Sequence, residues 1–153
     1  MYFNHIIMDK ERDFVTTECL ETPEGSVSSR SASPVIMDII ERKVKNFLEE
    51  KKVYLDPTMS LQKFSSITST NTTYLSNTVN DCFGCSFRTL LNRYRVEYAK
   101  TFITNDGGLV KDLYKKCGFA SRSAFYSSFK GITGLTPLQY LKKSISDNAP
   151  YWK

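Results

Sequence analysis

The chain has 153 residues, 41% hydrophobic and 24% charged, with a net charge of +5. This length favours one compact domain with some chain left over, and 10 Phe and 9 Tyr supply bulky core side chains. No apolar run approaches the roughly 18–20 residues that a membrane-crossing helix needs, and MYFNHIIMDKERDF lacks the basic lead and sustained apolar stretch of a signal peptide, so the expected compartment is the cytoplasm.

In chain order, residues 1–34 read as an unstructured tail and linker. Thr22-Pro23-Glu24-Gly25 and the following SVSSRSASP are rich in Ser, Pro and Gly. Only YFNHIIM at 2–8 suits a short strand or an anchor on a partner surface. From Pro34, the residues Val35, Ile36, Ile39, Ile40, Val44, Phe47 and Leu48 recur at three- and four-residue spacing, which predicts a helix to about Lys52. Tyr54-Leu55-Asp56-Pro57 breaks it, because the residue before proline avoids the helical region. Ser60 caps a short helix over 61–67, residues 68–71 form a turn, and a helix over 72–81 carries Leu75 and Val79 inward. Gly84 stops that helix in a left-handed conformation.

Ser86 caps a longer helix through Phe87, Leu90, Leu91, Tyr94, Tyr98, Phe102 and Ile103, ending near Asn105-Asp106-Gly107-Gly108. A further helix pair, 109–117 and 121–130, brackets a turn at Gly118–Ala120. Gly131 and Gly134 close it, and Thr136-Pro137 starts a last helix to about Lys143. The expected fold is all-α, with seven helices: two helix–turn–helix subdomains, homeodomain-like three-helical units, joined by a long linker helix.

Charge and helix faces narrow the class. Residues 1–52 carry a net −2, residues 53–85 a net −1, residues 86–109 a net +2 and residues 110–143 a net +6. A polyanion should grip the last third. In the helix over 121–130, Phe125 and Phe129 sit four apart, and the remaining positions are mostly small, polar or cationic. Such a helix packs into a domain on one side and suits a DNA groove on the other. A linker helix over 86–104 spans ~28 Å, against the roughly 34 Å between successive major-groove faces. A generic bundle would have the same length; charge and motif favour DNA.

Catalysis and metal binding find little support. Cys82-Phe-Gly-Cys85 has C-x-x-C spacing, but a structural zinc site takes four ligands. The single histidine, His5, lies in the tail, Cys19 and Cys117 are scattered, and no βαβ pattern surrounds the pair. Two thiols packed at a helix-to-helix turn is the favoured reading. No Ser/His/Asp or Cys/His set can be assembled, and Gly107-Gly108 lacks the lysine of a phosphate-binding loop. No cofactor is expected. Single-stranded RNA is disfavoured, since the aromatics fall mostly at inward helical positions.

Tyr74-Leu75-Ser76, Gly84-Cys85-Ser86-Phe87, Arg95-Val96 with Ala99, Gly118-Phe119-Ala120-Ser121, Phe125, Phe129-Lys130 and Gly134-Leu135-Thr136-Pro137 resemble the AraC/XylS family of bacterial transcription regulators. The resemblance runs from about Tyr54 to Leu141. It implies a DNA-binding domain over 35–145, with a first helix–turn–helix at about 61–81, the linker helix at 86–104, a second unit at about 109–130, and a tail over 146–153. It also implies promoter DNA as partner, with no enzymatic activity and no metal. The second recognition helix then presents Arg122, Ser123, Tyr126 and Ser127 to the groove, with Ser121 and Lys130 on the backbone. In the first unit the groove-facing positions are Thr73, Ser76, Asn77 and Asn80; no cation lies among them, so the grip expected there is weak.

The sequence departs from the family pattern at two joints. Where the first helix of each unit crosses the second the family favours alanine, and four residues later often glycine. The first unit has Ser65 and Ser69 there, the latter uncomfortable if its φ is positive. The second has Tyr114 with Gly118, so Tyr114 either opens the unit or swings outward. The family's usual sensing domain has no counterpart in the residues before Val35. The alternative is therefore a degenerate module docking on a full-length regulator, a signalling protein or RNA polymerase. Oligomeric state is left open.

Overall fold

The computed structural model describes residues 33–105 and 112–147. His5, Cys19, the tail over 1–32, the start of the helix expected at 109 and the segment 148–153 lie outside the described residues. The elements are α1 (Pro34–Glu49), a 3-10 turn (Val53–Leu55), α2 (Leu61–Thr68), α3 (Thr72–Phe83), α4 (Phe87–Asn105), α5 (Leu113–Lys116), α6 (Arg122–Thr133) and α7 (Pro137–Asp147). No strand occurs among the described residues.

Helix starts follow local chemistry. The hydroxyls of Ser60, Ser86, Ser121 and Thr136 each accept the backbone N–H three residues on, from Lys63, Thr89, Ala124 and Gln139. Asn71 does the same for Thr73 and Tyr74. Each bond satisfies a donor that the helix itself cannot. At Thr136 the capping is reciprocal, because Gln139 Oε1 accepts from the Thr136 N–H.

Stops differ more from expectation. α1 ends at Glu49 rather than Lys52, since Lys52 turns left-handed (φ 48°) and sends Tyr54 beneath α4, against Tyr94 and Tyr98. α6 runs through Gly131, which has open space around it, and stops at the left-handed Gly134. α7 continues to Asp147. The apolar period of α1 is only partly used: Ile40, Val44 and Leu48 are buried, while Val35, Ile36 and Ile39 are exposed.

Two cores share α4. The first gathers Ile40, Val44, Leu48, Phe64, Leu75 and Val79 around Phe87, Leu90, Leu91 and Tyr94. The second gathers Leu113, Cys117, Phe119, Phe125 and Phe129 around Val96, Ala99 and Ile103. Arg95 lies at the changeover. The residue is only 7% exposed. Nε donates to Tyr54 O at 2.6 Å, Nη2 to Asp56 O at 2.9 Å and Nη1 to Asn92 Oδ1 at 3.3 Å. It also stands 5.5 Å from the Phe119 ring centre. One buried cation thus ties α4 to the 3-10 turn of the first unit and to an aromatic of the second. Burial pushes its pKa down, opposed by the charge of Asp56. The charge stays because two carbonyls, an amide and a ring replace its water.

The crossing positions resolve separately. Ser69 does adopt positive φ, at 50°. Ser65 is half-buried and its hydroxyl bonds Thr70 O and Thr72 Oγ1, clipping the turn that the strained serine makes. Tyr114 does not swing free: it is half-buried against the second core, with Lys115 Nζ 5.7 Å from its ring centre. Gly118 has φ 78°, and a Cβ there would lie 2.4 Å from Tyr54 O and 2.7 Å from Leu55. The turn of the second unit therefore seats directly on the 3-10 turn of the first.

Two outcomes test this joint. Gly84→Ala meets open space at φ 62° and should cost about 1–2 kcal/mol in urea unfolding. Gly118→Ala adds a backbone overlap and should cost about 3 kcal/mol or more; equal losses would contradict the close seating. Asp56 is held down to about 2 by Lys63 first, then by the Thr58 hydroxyl and N–H. A lowered carboxyl adds stability above its unfolded value of 3.8 that is lost as pH falls through about 2. Asp56→Asn should therefore melt earlier than the parent at neutral pH, with the gap closing across that window. A gap that persists unchanged at the acid end contradicts the assignment.

Candidate nucleic-acid interface

α6 is built to turn one side outward. Phe125 and Phe129 are buried, stacked edge-on with Phe119, with each other and with Tyr140 at ring-centre distances of 5.4–5.7 Å. That anchors the helix and leaves Arg122, Ser123, Tyr126, Ser127 and Lys130 exposed. Arg122, Tyr126 and Lys130 follow one another at four-residue spacing, with Ser123 and Ser127 forming the adjoining row. The Tyr126 ring leans edge-on against Phe125 and is 39% exposed. Ser121 is exposed, with its hydroxyl engaged in the cap. Ser128, on the flank, accepts from Asn92 Nδ2 at 3.3 Å, fixing α6 to α4.

α3 has the same logic without charge. Leu75, Thr78 and Val79 are buried, Thr73, Asn77 and Asn80 are exposed, and Ser76 is half-buried. The four residues expected to face a groove thus share the side away from the core, Ser76 at its edge.

Ion pairing sorts the cations more sharply than sequence counting does. Arg42, Lys45, Lys63, Lys100 and Lys115 each pair with a carboxylate. Lys43 donates to Thr68 O at the end of α2. Among the described residues, no carboxylate pair involves Arg88, Arg93, Lys116, Arg122, Lys130, Lys142 or Lys143, all exposed on α4–α7. Arg95, on the same helix, is buried, which leaves Arg88 and Arg93 as the exposed arginines of α4. Their signal was positional: both occupy outward steps of the linker helix, and Arg88 lies one turn before the Asn92 that touches α6.

The cysteines form no centre. Cys82 is exposed at the last turn of α3, Cys85 is half-buried after Gly84, and both are free thiols. Burial and Glu41 push the Cys82 thiol up, and burial lifts Cys117 to about 12. Among the described residues no group of three His, Cys, Asp or Glu can hold a metal. None of their helices is long and apolar enough to cross a membrane.

An uncharacterized HTH-type transcriptional regulator of Staphylococcus aureus is 30% identical over 98 residues, 64% of this chain but 13% of that protein. The chain therefore spans only a small part of that relative. The C-terminal domain of AraT, a response regulator from Geobacillus stearothermophilus, aligns with a TM-score of 0.62 at 22% identity, covering 81% of this chain and 97% of that one. The DNA-binding domain of AdpA, a global transcriptional factor solved with a target DNA, gives 0.61 at 16% identity, covering 71% and 95%. Both likenesses concern the fold. A helix–turn–helix domain family matches residues 64–143, more than half of the sequence, and the chain belongs to the AraC-type helix–turn–helix family of DNA-binding transcription regulators.

Proposed function

We propose that the chain is a sequence-specific reader of double-stranded promoter DNA that sets α3 and α6 into neighbouring major grooves. The observation that carries this is the α6 face: a helix pinned by two buried phenylalanines and presenting Arg122, Ser123, Tyr126, Ser127 and Lys130 outward, with neither cation paired to a carboxylate among the described residues. Arg122 matches guanine O6 and N7 in bidentate fashion, and the two serines suit either kind of base edge. Tyr126 reaches a phosphate or a thymine methyl. Ser121 and Lys130 set register on the backbone. On α3, Thr73, Ser76, Asn77 and Asn80 address the second groove. The ~28 Å length of α4 and the Arg95–Gly118 joint support two helices acting as one head.

A second reading, a protein-interaction module, draws on Val35, Ile36 and Ile39, whose apolar side chains stand exposed at the start of α1. Its partner would be a full-length relative or RNA polymerase.

Arg122→Ala should weaken binding to a selected duplex by roughly 1–3 kcal/mol and relax base preference locally. Lys116→Ala and Lys130→Ala should lower affinity for every sequence and flatten the salt dependence by about one phosphate contact each. Fluorescence anisotropy across a salt series reads both effects. If all three variants behave like the parent, α6 is not the reader. If no duplex is bound at low salt while a protein partner co-purifies, the second reading stands.

A further inference from the structure

We propose that the two helix–turn–helix units divide recognition: the second supplies the electrostatic grip, and α3 discriminates adenine through the neutral amides of Asn77 and Asn80 without gripping phosphate. This rests on the DNA-reading proposal above and gives its target a definite chemistry. The site is asymmetric, with one half holding salt-dependent affinity and the other holding salt-independent selectivity.

The α2–α3 pair has spent its charge internally, and the exposed Arg88 and Arg93 stand on α4 instead. Lys63, the only cation in residues 53–85, is bound by the carboxylate of Asp56 and the hydroxyl of Thr58. Lys43, which reaches this unit from α1, donates to the carbonyl of Thr68. Its small polar groups are largely spent too. Asn71 caps α3, Ser65 clips the turn to Thr72, and Ser66 bonds back to Gln62 O. On α3 the exposed hydroxyl and amide side chains that make no internal hydrogen bond among the described residues form a row opposite the core: Thr73, Asn77 and Asn80.

The carboxylate of Asp81, exposed four residues after Asn77, adds a negative charge to the same side. That disfavours close approach to phosphate, and an amide is indifferent to it. An asparagine offers one donor and one acceptor in a plane, the pattern that pairs with adenine N7 and N6 in the major groove. On the second unit the unpaired Arg122 and Lys130, with Lys142 and Lys143 on α7, supply counterion release.

The test compares the full chain with Asn77→Ala/Asn80→Ala on duplexes carrying a randomised stretch of about two helical turns. Each protein selects its own consensus, and anisotropy then measures affinity for selected and unselected duplexes over a salt series. The double variant should bind unselected DNA like the parent, with the same salt slope. Its consensus should lose the adenine columns of one half only, and selectivity should fall roughly 5- to 150-fold per adenine lost. Asn80→Lys should do the opposite, tightening every sequence and steepening the slope by about one contact.

A flattened salt slope or weaker unselected binding in the double variant overturns the proposal, because α3 then grips phosphate. An unchanged consensus overturns it as well, because α3 then reads nothing. Failure of the parent to bind any duplex at low salt instead removes the DNA-reading proposal, and this inference falls with it.

Discussion

The arrangement of this molecule depends on one buried cation. Arg95 sits where α4 passes from the first core to the second, and its guanidinium engages Tyr54 O, Asp56 O, Asn92 and the Phe119 ring. Removing the side chain would leave carbonyls buried without a donor, a loss of order 1–3 kcal/mol for each unsatisfied group. Gly118 adds the second half of the joint, since only a residue without a side chain lets its turn rest on Tyr54 and Leu55. Together with the continuous α4 and the Asn92–Ser128 bond, these two features tie the two small bundles to each other. With them, the faces of α3 and α6 hold a fixed relation that a DNA duplex either matches or does not.

Charge is distributed by pairing as much as by sequence. Arg42, Lys45 and Lys63 pair with Asp38, Glu41 and Asp56, Lys43 donates to Thr68 O, and Lys51 and Lys52 lie over the Phe47 and Tyr98 rings, whereas the exposed cations of α6 and α7 have no carboxylate partner among the described residues. Exposed pairs of this kind contribute little to stability. Their larger consequence is electrostatic: a paired charge contributes less to the long-range field than the exposed cations of α4, α6 and α7 that lack a carboxylate partner among the described residues. α2 and α3, which carry no free cation, are also where Asn77 and Asn80 stand exposed.

Much of the fold was legible because it rests on local chemistry. Ser60, Ser86 and Thr136 start their helices with bonds spanning three residues, and Gly84 and Gly134 stop theirs by backbone freedom alone, whereas the caps of Asn71 and Ser121 were not anticipated. Phe125 and Phe129 were readable as anchors from their spacing. What escaped involves distance. Arg95 looks like any helix arginine until Tyr54 arrives from 41 residues away. The exposure of Val35, Ile36 and Ile39 could not be told from that of Ile40 and Val44 by period, because their shared spacing says nothing about where the neighbouring helix ends. Tyr114 is half-buried against the second core, a placement its own spacing does not announce. The outward rows of α3 and α6 follow directly from those anchors, which is why the candidate site was more legible than the joint that orients it.

Hydroxyl-radical footprinting on a genomic fragment retained by the chain at low salt tests the account most directly. Two helices locked to one frame predict two protected patches on the same side of the duplex, about one helical turn apart, with no inverted repeat between them. A single patch, protection symmetric about a dyad, or no protection at all would contradict it.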